Sequence, residues 1–462
     1  METTGSESTM RAGGTALPRG AVFSLLLLIA INLCNYIDRQ NLAAVESLIE
    51  SEPGFFAKDD TYVKTKMGSL SFAFMGTYML IAPVFGWLGD RFSRWKLMGI
   101  GIAMWSLATL GCGFATGFAM LFGLRCLVGV GEAAYGPAAP SIIADYFPVQ
   151  RRGKALSWFY AAIPVGSALG YVLGGAIAGF EHWPWATGWR WVFFLMGPPG
   201  LVLACWCFFM KDPPRGLSDR QVDLELPPEP APARPGFWRE YGLILGTKSY
   251  LINTLGMTAM AFAIGGVAFW MPRYVSQFRD GGKLATVNLV FGAVTVVAGL
   301  TSTLIGGWLG DRLRANLPGS YFWVSGAAML VGFVLFLGVL VTPFPLAWGL
   351  VFLSVFFLFL NTGPTNTIIA NVIHPTMRAA AVALNIFIIH AFGDAISPAI
   401  IGLVADMREG QKGDTSLWVG LNAGFLLVSL MILVSGLLWC WGARYLELDT
   451  EAAKHMLERS KP

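Results

Sequence analysis

The sequence is poor in charge. Of its 462 residues only 13% are Asp, Glu, Lys or Arg, whereas 55% are hydrophobic and the mean hydropathy is +0.59. A soluble globular protein carries about 25% charged residues, so this composition indicates a membrane protein. The net charge of +4 is small, and it calls for no nucleic-acid partner.

Reactive cysteines and cofactor motifs are also scarce. The six cysteines all lie within or beside apolar runs, and no CxxC pair occurs, so we interpret them as buried thiols. The sequence has no Walker-type GxxxxGK[ST] loop, no cluster of metal ligands and no nucleophile–base arrangement. We therefore expect neither an ATPase nor another enzyme, and no cofactor or metal ion.

Long apolar runs dominate what remains. Each is long enough to cross a membrane, which takes about 20 helical residues. Twelve occur, at about 21–49, 65–89, 95–115, 118–147, 152–180, 189–210, 248–278, 284–310, 320–342, 345–373, 378–406 and 416–442. The first run is not followed by a small-residue cleavage site, so we read it as a retained helix. The pattern predicts an all-α polytopic membrane protein with 12 transmembrane helices.

Lysine and arginine placement predicts the orientation. With a cytoplasmic N-terminus, 21 of the 32 basic residues lie on the cytoplasmic side, nine lie opposite, and Arg39 and Arg125 fall within spans. We expect both termini in the cytoplasm and the protein in a bacterial inner membrane.

Composition also divides the chain. Residues 212–247 hold seven prolines and mixed charges, which predicts a polar, extended cytoplasmic linker. The predicted domains are a cytoplasmic tail (1–20), a six-helix bundle (21–211), the linker (212–247), a second six-helix bundle (248–443) and a cytoplasmic tail (444–462).

The chain contains an internal repeat. The hexapeptide GWLGDR occurs at Gly86–Arg91 and again at Gly307–Arg312. Five further matches share an offset of 227 residues: Gly136-Pro137 with Gly363-Pro364, Pro148 with Pro375, Arg151 with Arg378, Gly166 with Gly393 and Gly175 with Gly402. Chance coincidence of common glycines explains this poorly, because prolines and an arginine match as well. Two homologous six-helix halves in parallel orientation are typical of a transporter architecture.

These residues carry a family resemblance. The segment GWLGDRFSRWK (Gly86–Lys96) resembles the loop 2–3 signature of the major facilitator superfamily, with Ser93 where that signature usually has glycine. Four segments resemble the Spinster family of lipid transporters in order: NLCNYIDRQNLA, GVGEAAYGPAAPSIIADYFP, FYAAIPVGSALGYVLGG and HAFGDAISPAIIG. The resemblance covers nearly the whole chain outside the termini and linker. It implies the major facilitator fold and lysophospholipid or sphingoid-lipid transport.

The doubled motif predicts a gate. A carboxylate at the end of span 2 can meet a neighbouring helix N-terminus and a guanidinium, and the resemblance implies that this neighbour is span 11. The expected cytoplasmic gate residues are Asp90, Arg91, Arg94, Asp145 and Arg151 in the first half, and Asp311 and Arg312, facing span 5, in the second. The alternative is a solvated, positively charged loop that latches nothing.

Charges inside the spans predict the transport chemistry. An ionised side chain at mid-membrane costs about 2.5–3.5 kcal/mol on insertion scales. Asp38 and Arg39 lie in span 1; Arg125 and Glu132 lie about two turns apart in span 4. We predict Asp38 and Glu132 as proton-coupling acids, with Arg39 and Arg125 as switching partners or ligands of an anionic head group. The alternative is a permanent set of structural ion pairs.

The other polar residues in the spans carry weaker signals. Tyr36, Asn361 and Asn366 are further candidates for substrate contact, although such amides more often form interhelical hydrogen bonds. We interpret Asp394 as a gating or structural acid. His390 is a gating candidate beside it, or a core histidine.

The sequence thus predicts a secondary active transporter that moves a lysophospholipid or sphingoid lipid by alternating access, coupled to protons. Its partners would be this substrate, protons and membrane lipids; no soluble domain is long enough to name a protein partner. Alternatives are a carrier of drugs or small organic anions, an ungated lipid scramblase and a non-transporting receptor. Competition of transport by lysolipids or by hydrophilic anions distinguishes a lipid carrier from a small-anion carrier. A scramblase would move lipid without regard to an imposed gradient. A receptor would not need the doubled gate.

Overall fold

The computed structural model describes residues 20–57, 60–89, 91–147, 149–180, 182–214, 237–314, 316–374, 377–409 and 416–454. Within these residues the regular structure is helical. Residues 215–236 of the predicted linker, residues 1–19 and 455–462 of the two predicted tails, and the gate candidate Asp90 lie outside the described residues.

The described part of the first half contains seven helices. They are α1 (Ala21–Glu50), α2 (Val63–Gly89), α3 (Arg94–Gly113), α4 (Phe118–Glu132), α5 (Tyr135–Tyr146), α6 (Val149–Ala178) and α7 (Gly188–Phe209). The fourth predicted span is divided between α4 and α5 at Ala133–Ala134. Pro137 has no N–H group, so the first turn of α5 lacks the bond that would continue α4.

The second half follows the same plan. Its helices are α8 (Phe237–Gly246), α9 (Lys248–Arg273), α10 (Leu284–Arg314), α11 (Ser320–Val341), α12 (Ala347–Leu360), α13 (Thr362–Val372), α14 (Arg378–Ile389), α15 (Ser397–Met407), α16 (Gly420–Gly442) and α17 (Leu446–Lys454). A π-helical turn (Tyr274–Phe278) extends α9, and a second π-helical turn (His390–Asp394) follows α14.

Helix α8 departs from the predicted extended linker. It occupies the last part of the 212–247 segment, beyond its final proline. Apolar residues recur there every three or four positions, which gives a helix one apolar face. Ile244 on that face is fully buried, so the end of the predicted linker is folded onto the second half.

The helices account for the predicted spans. Eleven described stretches are long and apolar enough to cross a membrane; the fourth predicted span is not among them, because α4 has 15 residues and α5 has 12. The same division recurs between α12 and α13: α5 begins at Tyr135 and α13 at Thr362, 227 residues later. The all-α prediction of two six-helix bundles is confirmed.

Glycines set the closest helix contacts. On α6, a Cβ atom at Gly166 would lie 2.8 Å from the Leu33 carbonyl oxygen, and one at Gly170 would lie 2.6 Å from that of Ile37. Only glycine admits such an approach. These glycines bring span 5 into close contact with α1.

The two halves meet along α6–α10 and α2–α15. A Cβ atom at Gly68 would lie 2.2 Å from the Pro398 carbonyl oxygen, and one at Gly402 would lie 2.4 Å from that of Lys64. Alternating helix directions define two ends of the molecule. We call one end the termini end; the first residues of α1 and the last residues of α16 lie there. We call the opposite end the far end; the last residues of α1, α9 and α15 lie there.

Candidate functional site: a charged cavity between the halves

A cavity of about 340 Å³ lies between the two halves. Its wall is built by α1, α2, α4 and α6 from the first half and by α9, α10, α12 and the second π-helical turn from the other. Among the described lining residues the charged ones are Arg39, Arg125 and Asp394, and most of the rest are apolar. The cavity therefore has a basic pole on the first half and an acidic group on the second.

Arg39 is paired within the first half. Its Nε donates to Glu132 Oε2 at 3.0 Å, and the Glu132 side chain is fully buried. Its guanidinium carbon also lies 4.8 Å from the ring centre of Tyr36 and 5.4 Å from that of Tyr78. The Glu132 carboxylate neutralises the charge of Arg39, while the rings hold the guanidinium against the cavity wall.

Asp38 points away from the cavity. It is 3% exposed, and its Oδ2 accepts a hydrogen bond of 2.8 Å from Thr109 Oγ1 on α3. Spans 1 and 4 thus meet as the sequence suggested, with the direct bond joining Arg39 to Glu132. Whether Asp38 and Glu132 exchange protons stays a prediction.

Arg125 has unused hydrogen-bond donors. It is 2% exposed and lines the cavity, and its Nε and Nη1 atoms have no hydrogen-bond partner among the described residues. Buried donors without acceptors are costly. A bound anion would satisfy them, and the planar guanidinium suits the oxygens of a phosphate or carboxylate.

Phe74 is a site residue that sequence reasoning missed. Its ring centre lies 5.1 Å from the guanidinium carbon of Arg39 and 5.0 Å from that of Arg125. A Cβ atom at Gly129 would lie 2.1 Å from the Phe74 carbonyl oxygen, so glycine lets α2 approach α4 and fixes the ring beside both cations. No signal in a single sequence reveals this contact, because it depends on helix packing.

The second π-helical turn supplies the opposite wall. His390 Nδ1 lies 2.9 Å from both carboxylate oxygens of Asp394, and both side chains are about a quarter to a third exposed. Tyr36 also lines the cavity. The other two substrate candidates do not: Asn361 donates to the Leu358 carbonyl oxygen at 2.7 Å, and Asn366 donates to that of Thr362 at 2.8 Å.

Two described contacts of the predicted gate residues each lie within one half. Arg94 pairs with Asp145 at 2.6 Å, and Asp311 accepts a hydrogen bond of 2.8 Å from the Tyr321 hydroxyl. Arg91 and Arg312 are exposed. The side chain of Arg151, like the whole of Asp90, lies outside the described residues. Thus these described contacts do not join the halves at the termini end.

Two ion-pair clasps, which the sequence did not predict, join the halves at the far end. In the first clasp Arg273 on α9 binds Glu46 and Glu50 on α1, with Nη1–Glu46 Oε1 at 2.7 Å and Nη2–Glu50 Oε1 at 2.8 Å. In the second clasp Lys64 on α2 binds Asp406 and Glu409, with its Nζ atom 3.3 Å from Asp406 Oδ1 and 3.0 Å from Glu409 Oε1. The far end is therefore held closed.

Comparisons with known sequences agree with this architecture. The sequence model of the Major Facilitator Superfamily matches residues 28–398. Protein spinster homolog 3 of Danio rerio is 33% identical over 466 residues, which cover 96% of this chain and 89% of that protein. Protein spinster homolog 1 of Homo sapiens is 33% identical over 470 residues, covering 97% and 85%.

Solved structures share the fold. A bacterial homolog to the human lysosomal transporter Spinster, in an inward-facing and unoccupied conformation, superposes with a TM-score of 0.76 at 21% identity, over 96% of this chain and 99% of that one. A D-xylose–proton symporter gives a TM-score of 0.69 at 16% identity, over 91% and 97%.

Proposed function

We propose a transport function from one premise: the chain belongs to the major facilitator superfamily and, within it, to the Spinster family of transporters. We infer that it is a secondary active transporter that moves a lysophospholipid or sphingoid lipid by alternating access, coupled to protons. Because its family consists of transporters, we propose no enzymatic reaction for it.

One observation carries the proposed substrate class. Arg125 reaches the cavity with two buried donor atoms that have no protein acceptor among the described residues, whereas Arg39 is already bonded to Glu132. A phosphate group would bind the Arg125 guanidinium first, because the donor atoms of Arg125 are free among the described residues. The remaining wall is largely apolar, with Phe269 and Phe359 among its residues, and it suits an acyl chain.

The acidic group on the other wall favours a zwitterionic head group. Asp394 faces the same cavity as Arg125, so a ligand that carries a phosphate and an ammonium group could balance both. A purely anionic ligand would leave its charge near Asp394 uncompensated. Among amphiphiles, we therefore favour phospholipids with an ammonium group.

Proton coupling is proposed for the buried acids of spans 1 and 4. Asp38 and Glu132 are both almost fully buried and lie on helices that build the basic pole. If substrate binding draws a guanidinium away from Glu132, the carboxylate loses its counter-charge, and protonation then becomes the cheaper state.

The proposed orientation puts the termini end in the cytoplasm of a bacterial cell and the far end outside its inner membrane, because basic residues concentrate at the termini end. In this arrangement the far-end clasps would close the outer side. The gate residues Asp90, Arg91, Arg94, Asp145, Arg151, Asp311 and Arg312 would latch the inner side in the opposite conformation.

The test follows fluorescent lysophosphatidylcholine, a hydrophilic organic anion and a cationic drug in parallel, with purified protein in proteoliposomes and with or without an imposed proton gradient. We expect lysolipid movement in the wild type and a loss of about tenfold or more in Arg125→Gln, since hydrogen bonds to charged groups contribute about 1.5–3 kcal/mol. Arg239→Gln, at an exposed position on α8, is the matched control and keeps the wild-type rate.

Three outcomes would contradict the proposal. Movement of the hydrophilic anion alone would favour a small-anion carrier, and movement of a cationic drug alone would favour a drug carrier. Lysolipid movement that ignores an imposed proton gradient would indicate a scramblase.

A further inference from the structure

The first far-end clasp places two carboxylates on one guanidinium. Glu46 and Glu50 are one helical turn apart on α1, and both bind Arg273, which lies at the end of α9 in the other half. Glu46 is 1% exposed, and its Oε2 atom has no hydrogen-bond partner among the described residues. The contact that closes the far end therefore contains a buried carboxylate oxygen that accepts no hydrogen bond.

The charges of this clasp do not balance. Two carboxylates and one guanidinium leave one negative charge in excess, and an uncompensated buried charge is costly. The neighbouring cations are already engaged. Lys64 on α2 binds Asp406 and Glu409, and Arg190 on α7 binds Glu52, just beyond α1.

One proton removes the excess charge without displacing a protein group. A protonated glutamic acid still accepts a hydrogen bond from Arg273 through its carbonyl oxygen, so the clasp remains bonded. When the far end opens, the halves part and the Glu46 carboxylate enters water, where it ionises independently of Arg273.

We propose that Glu46 is a proton-binding site, and that closing the far end takes up one proton at its carboxylate. The proposal rests on the alternating access proposed above, and its site is separate from Asp38 and Glu132. Because the closed form binds one proton more than the open form, a lower pH favours the closed form. The ratio of closed to open molecules changes by up to about tenfold per pH unit.

The experiment measures opening directly. Spin labels are attached at Thr61 and Lys283, exposed positions at the far end of the first and second halves, in a cysteine-free background in lipid nanodiscs. Electron–electron double resonance then gives the share of the short-distance, closed population at several pH values. We expect this share to rise in the wild type as the pH falls.

The variants separate protonation from packing. Glu46→Gln imitates the protonated acid, so its closed population should be high and independent of pH. Glu46→Asp retains a titratable group and should retain the pH response. Asp280→Asn changes an exposed carboxylate at the same end and serves as the control with a wild-type response.

A pH-independent closed population in the wild type would overturn the proposal, as would an unchanged pH response in Glu46→Gln. The lipid assay distinguishes the proposed lipid transport from the proposed proton-binding site. Closure that depends on pH without any lipid movement defeats the proposed substrate and leaves the proton site standing; lipid movement with pH-independent closure does the reverse.

Discussion

At the residue scale, the basic pole depends on what each arginine touches. Glu132 neutralises Arg39 through a direct bond, whereas Arg125 lies beside the Phe74 ring and keeps two donor atoms without a hydrogen-bond partner among the described residues. An aromatic ring attracts a cation without carrying a charge of its own. Phe74 can therefore position Arg125 and leave its hydrogen-bond donors to a substrate.

Replacement of Phe74 tests this role. Phe74→Leu conserves an apolar side chain but removes the ring, which contributes about 0.5–1 kcal/mol per guanidinium, so we expect a several-fold higher KM for lysolipid. Phe74→Tyr keeps the ring and should restore the wild-type KM. Phe291→Leu is the comparison, because Phe291 lines the same cavity and packs on Tyr171. Equal increases in KM in Phe74→Leu and Phe291→Leu would show that Phe74 contributes only to the apolar wall.

At the element scale, glycine determines how closely α6 lies on α1. A methyl group at Gly170 would meet the Ile37 carbonyl oxygen at 2.6 Å, so the helices would have to separate along their whole contact. That contact carries Arg39 and Asp38 on the neighbouring turns of α1. Helix packing and the position of the charged residues are thus set by the same small side chains.

Gly170→Ala should lower the stability of the protein. Overpacking of this kind typically costs about 1–3 kcal/mol, and we expect a lower thermal unfolding temperature in detergent. Gly123→Ala is the control: no atom lies within 4 Å of its Cβ position on α4, and alanine favours a helix over glycine. Gly170→Ala with an unfolding temperature at or above that of Gly123→Ala would contradict the packing argument.

At the scale of the whole molecule, the two halves are locked at the far end and share one cavity. The clasps of Arg273 and Lys64 each span the interface between halves. Two described contacts of the predicted gate residues at the termini end each lie within one half, as in Arg94 with Asp145. Closure at one end is what alternating access requires of one of its two conformations.

Breaking the lock should shift the conformational equilibrium. Arg273→Gln removes the cation that both α1 carboxylates bind, so we expect a larger open population at the far end in the spin-label experiment. Arg239→Gln on the exposed face of α8 is the matched control. An unchanged distance distribution in Arg273→Gln would show that the clasp does not hold the far end closed.

The features that could be predicted from the sequence are those that are energetically costly at one position in a span or that recur at a fixed offset. The charges at Asp38 and Glu132 stand out because ions are rare inside spans, and the 227-residue offset revealed the two halves. The sequence did not distinguish Glu46 and Arg273 as site residues, because charged residues are common at the ends of membrane spans. Their pairing depends on how the halves approach each other, and neither periodicity nor composition encodes that approach.

The most direct test of the account is gradient-driven transport by Asp38→Asn and Glu132→Gln. Lysolipid movement into proteoliposomes would be measured with and without an imposed pH gradient. The account predicts wild-type movement that the gradient accelerates, and movement in both variants that no longer responds to it. Variants that respond to the gradient as the wild type does would contradict proton coupling through the buried acids of spans 1 and 4.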